Sequence, residues 1–155
     1  MKPPSLKRHE DWPTRLDQFL AERREQPFIW GRHDCCLFAS DAIHAMTGTD
    51  VAADFPPYDT ALGARKALKE YAGASSVAEL ADWIAELYGI REIPPSFAQR
   101  GDVVLLNRDR LGGELPTPAG QTLGIVALDG EEIWAPGEFR LVSVPLEVAE
   151  RAWRI

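Results

Sequence analysis

Apolar residues recur at helical spacing through the first half of the chain and predict four helices there. The predicted helices begin near Asp11, at Cys35, at Thr60 and after Ser76, and they end before Pro27, near Met46, at Ala72 and before Gly89. Asp34 is a good N-cap for the second helix, and Gly48 is placed to end it. Because an apolar stripe runs along this second helix, we expect it to be central to the fold.

In the second half the period changes from helical to extended. Residues 102–106, 122–128, 131–135 and 139–144 are predicted strands, and residues 147–153 are expected to form a terminal helical turn. Asp129-Gly130 is a hairpin signal between the second and third of these strands. Helices followed by strands predict an α+β fold, in which N-terminal helices pack on a small C-terminal antiparallel β meander.

The length and composition predict one domain over residues 1–155. Its 45% hydrophobic content is enough for a single core, with a helical part at about 11–90 and a sheet part at about 100–145. The segment 111–120 is rich in glycine and proline. We expect it to be a surface loop that lines a cleft or meets a partner.

The net charge of -7 argues against a nucleic-acid partner, because binding to phosphates depends on clustered Lys and Arg. The basic start of the chain is followed by no apolar stretch of signal-peptide length, and no later run is long enough to span a bilayer. We therefore expect a protein that is made in the cytoplasm and has no membrane span.

The only cysteines, Cys35 and Cys36, are neighbours, so they provide no disulfide framework. Two adjacent thiols together with the three histidines do not match the ligand spacing of a zinc site. The sequence predicts no metal and no cofactor.

Two short motifs carry a family resemblance. Trp30-Gly31-Arg32-His33-Asp34-Cys35 precedes the predicted central helix, and Arg100-Gly101-Asp102-Val103-Val104 opens the predicted meander. They resemble the NlpC-type papain-like cell-wall peptidases, which place a nucleophile in a Gly-x-x-Asp-Cys arrangement at a helix start and open their sheet with Gly-Asp-aliphatic. The resemblance covers roughly residues 28–144 and implies a papain-like fold with Cys35 as the candidate nucleophile. A helix start also favours the thiolate form of a cysteine.

The same resemblance shows what is missing. In the family the catalytic histidine precedes a Val-Gly-Ile-type strand, and an orienting residue, often another histidine, precedes an alanine on the next strand. Thr122 and Trp134 stand at those positions here. A thiol with a pKa of about 8.5 is mostly protonated at neutral pH, and an amine leaving group needs a proton donor. Threonine supplies neither function, so we expect an inactive relative of these peptidases.

Alternatives remain open for Cys35 and for the base. Cys35 also fits a small buried hydrophobe on a helix that faces a sheet. His44 lies nine positions after Cys35, on the order of 13 Å along the helix axis, and is too far away. Among the histidines, His33 is the remaining candidate base, although its position before the cap predicts a ring that points to solvent, and His9 is expected to lie in a mobile terminus. A neighbouring subunit and an unusual polar group are the other candidate sources of a base.

Short proteins with a degraded NlpC-type motif and no wall-binding module resemble components encoded among phage tail genes. The resemblance implies a virion protein at the tail tip of a phage or phage-like particle, with a structural or assembly role and other tail proteins as partners. The alternative is an active cysteine peptidase or amidase that cleaves peptidoglycan peptides locally during DNA entry. A toxin-immunity or regulatory binder on this scaffold is a third hypothesis, because fold alone does not fix function.

Overall fold

A computed structural model describes residues 5–113 and 117–155, so part of the predicted loop 111–120 lies outside the described residues. Four α-helices come first in the described chain: α1 (Trp12–Arg23), α2 (Cys35–Thr47), α3 (Ala61–Ala72) and α4 (Val77–Tyr88). They agree with the predicted helices to within a few residues. In the described part of the chain, no helix is long and apolar enough to cross a membrane.

Local signals explain most of the helix boundaries. Side-chain oxygens of Asp34, Thr60 and Ser76 each accept a hydrogen bond from a backbone N–H in the first turn of α2, α3 and α4. The helix α1 differs, because Asp11 makes no capping hydrogen bond. Its carboxylate instead accepts a hydrogen bond from Nε of Arg15 at 2.8 Å. The expected start of α1 near Asp11 is therefore right, although the Asp11 side chain does not cap the helix.

The strands form one antiparallel sheet. The described strands are β1 (Arg91–Ile93), β2 (Val103–Asn107), β3 (Gln121–Val126), β4 (Glu132–Pro136), β5 (Leu141–Pro145) and β6 (Arg151–Arg154). Their order across the sheet is β1-β6-β2-β3-β4-β5. The strands β2 to β5 are the predicted meander, and the α+β fold class is confirmed.

The end of the chain corrects the prediction for residues 147–153. A single 3-10 turn covers Leu146–Val148, and β6 then pairs with both β1 and β2. Ala152 and Trp153 are both buried, on opposite faces of the sheet. A strand covered on both faces does not alternate between apolar and polar residues, so periodicity gives little sign of it.

The helix α2 packs on one face of this sheet. The core on that face includes Leu16, Phe38, Met46, Leu105 and Ile125. The core on the other face includes Val104, Leu106, Val126, Ile133 and Ala152, beneath the short segments that precede β2 and β6. The start of α2 therefore lies against β3, where the candidate site is found.

A buried carboxylate joins the two ends of the chain. Asp102 is 0% exposed and accepts hydrogen bonds from Arg8 at 3.2 Å and Arg154 at 3.0 Å. Backbone N–H groups of Gln99 and Ile155 also donate to it. The Gly-Asp motif before β2 therefore has a structural explanation, since its carboxylate connects the N-terminal segment to β6.

Replacement of Asp102 tests this connection. We expect Asp102→Ala to lower the free energy of unfolding by about 3–5 kcal/mol, because two guanidinium groups lose a buried partner. Urea denaturation measures the change. The matched control is Asp11→Ala, which removes an exposed ion pair with Arg15 and should leave the stability unchanged. Equal effects of the two substitutions would contradict the proposed role of Asp102.

Candidate thiol site at the start of helix α2

The Asp34 carboxylate fixes the backbone around the start of α2. One oxygen accepts the N–H of Leu37 at 3.0 Å, and the other accepts the N–H of Gly31 at 2.9 Å. The hydroxyl of Tyr58, from the segment before α3, donates to the second oxygen as well. One buried side chain thus holds the preceding turn, the first turn of α2 and a distant segment together, and it sets the position of Cys35.

Gly31 is required by close packing in the same turn. Its φ is 78°, and a Cβ atom added there would lie 1.8 Å from the carbonyl oxygen of Tyr58. No side chain fits that space, and an L-residue disfavours that φ. Gly31 and Asp34 of the Gly-x-x-Asp-Cys motif therefore both serve to present the cysteine that follows.

Cys35 is buried, with 3% of its surface exposed, and its sulfur lies 3.9 Å from that of Cys36. A hydrogen bond from the Cys36 thiol lowers the pKa of Cys35, and the backbone N–H of Leu123 and the hydroxyl of Thr122 act in the same direction. Burial and the negative charge of Asp34 oppose this shift in pKa. The same hydrogen bond and burial raise the pKa of Cys36 well above its usual value. Cys35 is therefore the thiol of the pair that ionises first.

The structure brings Thr122 to Cys35 and leaves Trp134 elsewhere. Thr122 is fully buried on β3, where its hydroxyl donates to the carbonyl of Leu123 at 3.4 Å and helps to lower the pKa of Cys35. Trp134 pairs with Ile125 across the sheet, so it lies three residues further along β3, about 10 Å at the usual rise per residue. Its ring packs beneath the guanidinium of Arg24, 5.7 Å from its carbon. Trp134 therefore belongs to the surface beside α1.

His33 is buried, which corrects the expectation that its ring points to solvent. Its Nδ1 lies 3.3 Å from Nη1 of Arg23, and its ring packs edge-on against Phe38. Burial and the charge of Arg23 lower the pKa of His33 to about 4. Because the guanidinium donates to the free ring nitrogen, that nitrogen is not available as a base. His33 supports Arg23, which in turn forms an ion pair with Asp41 at 2.9 Å.

The other histidines lie at the far end of α2. The backbone N–H of His9 donates to the carbonyl of Met46, and its ring lies near Gly48. His44 is exposed in the last turn of the helix. Neither ring is placed to accept a proton from Cys35.

Arg108 is a charged neighbour of the site that the sequence interpretation missed. It lies just after β2 and is only 5% exposed, and its Nη1 donates to the carbonyl of Pro136 at 2.7 Å. Burial lowers its pKa, and negative charge at Cys35 is the larger of two influences that oppose this shift. No sequence signal marks Arg108, since an arginine between Asn107 and Asp109 is typical of an exposed turn.

The described residues contain no group of three or more His, Cys, Asp or Glu side chains that could hold a metal ion. The arrangement at the start of α2 is a buried thiol with hydrogen-bond donors and a nearby cation. It can stabilise a thiolate, and it offers no imidazole to transfer protons.

Fold and site together define an α+β domain with a presented thiol at the start of its central helix. Residues 7–155 match the model of a family described as a domain of unknown function (DUF6950), and the chain belongs to that family. No curated protein sequence matches the chain.

The role of Asp34 predicts a large effect on stability. Asp34→Ala should lower the free energy of unfolding by about 2–4 kcal/mol, because α2 loses its cap and the Tyr58 hydroxyl loses its acceptor. Asp34→Asn is the matched control, since it keeps a capping oxygen and should lose less. Chemical denaturation of the three proteins provides the comparison, and equal losses for the two variants would show that the cap contributes little.

The buried state of His33 predicts a pH dependence of stability. The unfolded chain takes up a proton near pH 6.5, whereas folded His33 does so only near pH 4. Stability should therefore fall as the pH drops from 6.5 to 4, by at most about 1.4 kcal/mol per pH unit. His33→Asn keeps an acceptor for Arg23 and cannot titrate, so urea unfolding of this variant should lack that component. Identical pH profiles for the two proteins would contradict the assignment.

Proposed function

We propose that this protein is a structural or assembly component of a phage or phage-like tail tip, built on an NlpC-like peptidase fold that has lost its catalytic base. The observation that carries the proposal is the pairing of Cys35 with Thr122. The residue that stands at the base position of the NlpC-type motif is a buried threonine whose hydroxyl lowers the pKa of Cys35.

The loss of a base argues against amide hydrolysis. Acylation of a thiolate by an amide releases an amine, which must be protonated as it leaves. A hydroxyl near its ordinary pKa does not deliver that proton at neutral pH, and the lone pair of His33 is already occupied by Arg23. The small exposed fraction of Cys35 also limits access for a substrate.

Surface features support a binding role. The strand β5 is the last strand of the described sheet, with only its first N–H, that of Leu141, bonded to Arg24 at the end of α1, and Phe139 in the turn before it is 77% exposed. A cleft beside this turn is lined by Leu111, Arg140 and Val142, among others. Exposed aromatic residues and free strand edges are common points of contact between proteins. This edge is the surface that we assign to other tail proteins.

Localisation tests the structural role directly. We expect mass spectrometry of purified particles, from the phage or prophage that encodes this chain, to find it in a fixed ratio to other tail proteins. Cys35→Ala should leave that ratio unchanged, because the proposed role needs no nucleophile. The double change Phe139→Asp and Val142→Asp should lower incorporation. Recovery of the wild-type chain only as free protein would rule the role out.

A specific observation favours one alternative, a cysteine peptidase or amidase that acts on peptidoglycan peptides. The lowered pKa of Cys35 is what a nucleophile would need. Under our proposal this feature is a remnant of the ancestral site, and the missing base is what prevents turnover.

Restoring an imidazole separates these possibilities. We expect Thr122→His to increase release of peptides from purified peptidoglycan by about 100-fold or more, which is the usual contribution of a general base. Cys35→Ala in the Thr122→His background should abolish the gain. Circular dichroism shows whether each variant is folded. A folded Thr122→His protein that shows no gain would contradict the claim that the missing base is what prevents turnover.

A further inference from the structure

Arg108 carries a buried positive charge that lacks partners. Two of its nitrogens, Nε and Nη2, are buried and have no hydrogen-bond partner among the described residues. Its one hydrogen bond goes to a neutral carbonyl, that of Pro136. A buried guanidinium without a compensating anion costs several kcal/mol, so its retention in the core requires an explanation.

The strand order places this charge over the start of β3. Arg108 follows β2, and its guanidinium reaches the carbonyl of Pro136 at the end of β4. The strand β3 lies between these two strands, and Thr122 pairs with Leu106 near the end of β2. The Arg108 side chain therefore crosses the end of β3 where the backbone N–H of Leu123 and the hydroxyl of Thr122 lower the pKa of Cys35.

Few negative groups face this guanidinium. Among the residues that the structure describes, Cys35 and Glu138 are the two whose negative charge acts on Arg108, and Glu138 is exposed in the turn after β4. The ring of Phe28 covers the guanidinium at 5.7 Å. The remaining acid at the site, Asp34, is already occupied by the hydrogen bonds from Gly31, Leu37 and Tyr58. Cys35 is thus the buried group that can match the buried cation.

We propose that Arg108 is the counter-ion of the Cys35 thiolate, so that the core of this protein contains a guanidinium–thiolate pair in place of a thiolate–imidazolium pair. In this role Arg108 is a positioning residue, because it acts through the sulfur. The guanidinium stays protonated throughout the physiological range, so it can stabilise the thiolate and cannot return a proton to a leaving group. Such a pair favours the thiolate of Cys35 in a site that has no imidazole to return a proton.

Several other groups influence the same thiol. Asp34 opposes ionisation of Cys35, whereas the Cys36 thiol, the Leu123 N–H and the Thr122 hydroxyl favour it. Tyr58 is neutral, because burial and Asp34 raise its pKa far above the physiological range. None of these groups is a cation. Their effects on the pKa of Cys35 should stay the same when the Arg108 charge is removed, so a change in that pKa reports on Arg108.

The test follows the protonation of Cys35 by NMR of protein labelled at cysteine Cβ, which needs no reagent to enter the core. The Cys35 resonance is assigned with Cys35→Ser. We expect Arg108→Met to raise the apparent pKa of Cys35 by about 1, the lower end of the usual effect of an opposite charge, because the hydrogen bonds from Cys36, Leu123 and Thr122 remain in this variant. Arg108→Lys retains a charge and should shift it less. Glu138→Gln is the matched control and should leave it unchanged.

A second measurement keeps the proposal testable if Arg108→Met fails to fold. In the wild type, the Nε resonance of Arg108 should change with pH at the same midpoint as Cys35. In Cys35→Ser that transition should disappear. A Cys35 midpoint that is unaffected by Arg108→Met, or an Arg108 resonance that titrates unchanged in Cys35→Ser, would overturn the pairing. The inference does not depend on the tail role, since both measurements use the isolated protein.

Discussion

The buried Asp34 carboxylate is the constraint on which the rest of the site depends. It accepts hydrogen bonds from the turn before α2, from the first turn of α2 and from Tyr58. These contacts leave the backbone at Cys35 little conformational freedom. The close approach of Gly31 to Tyr58 restricts the preceding turn further. These contacts therefore fix the position of the Cys35 thiol, whether or not it acts as a nucleophile.

The same carboxylate opposes the ionisation of the thiol that it positions. Hydrogen bonds from Cys36, Leu123 and Thr122 offset this effect, and the net result is a lowered pKa for Cys35. Arg108 adds a positive charge that does not titrate near neutral pH. A site arranged in this way can hold a negative charge stably, which differs from passing protons back and forth during catalysis.

Much of the fold could be predicted from the sequence, because local signals determine it. Capping residues and glycines mark the ends of α2, α3 and α4, and the apolar period marks the strands of the meander. The strand β6 was mistaken for a helical turn, because its pairing with β1 and β2 is set by distant residues. Periodicity over four residues gives no sign of such long-range pairing.

The candidate site was only partly predictable for the same reason. The resemblance to NlpC-type motifs indicated Cys35 and Thr122, and in the structure the Thr122 hydroxyl lowers the pKa of Cys35. Trp134 was assigned to the motif only because of its position before an alanine. In the structure it lies further along the sheet than Thr122, under Arg24. Arg108 has the sequence context of a surface turn, and only the strand order shows that its guanidinium crosses β3.

The central claim is that a presented thiol without a base does not hydrolyse peptides. The most direct measurement compares wild-type protein with Cys35→Ala for release of peptides from purified peptidoglycan, with an authentic NlpC-type peptidase as the positive control. The account predicts that both proteins release no more than a blank. Release by the wild type that disappears in Cys35→Ala would contradict it, and would show that the site obtains its base from a group other than those described here.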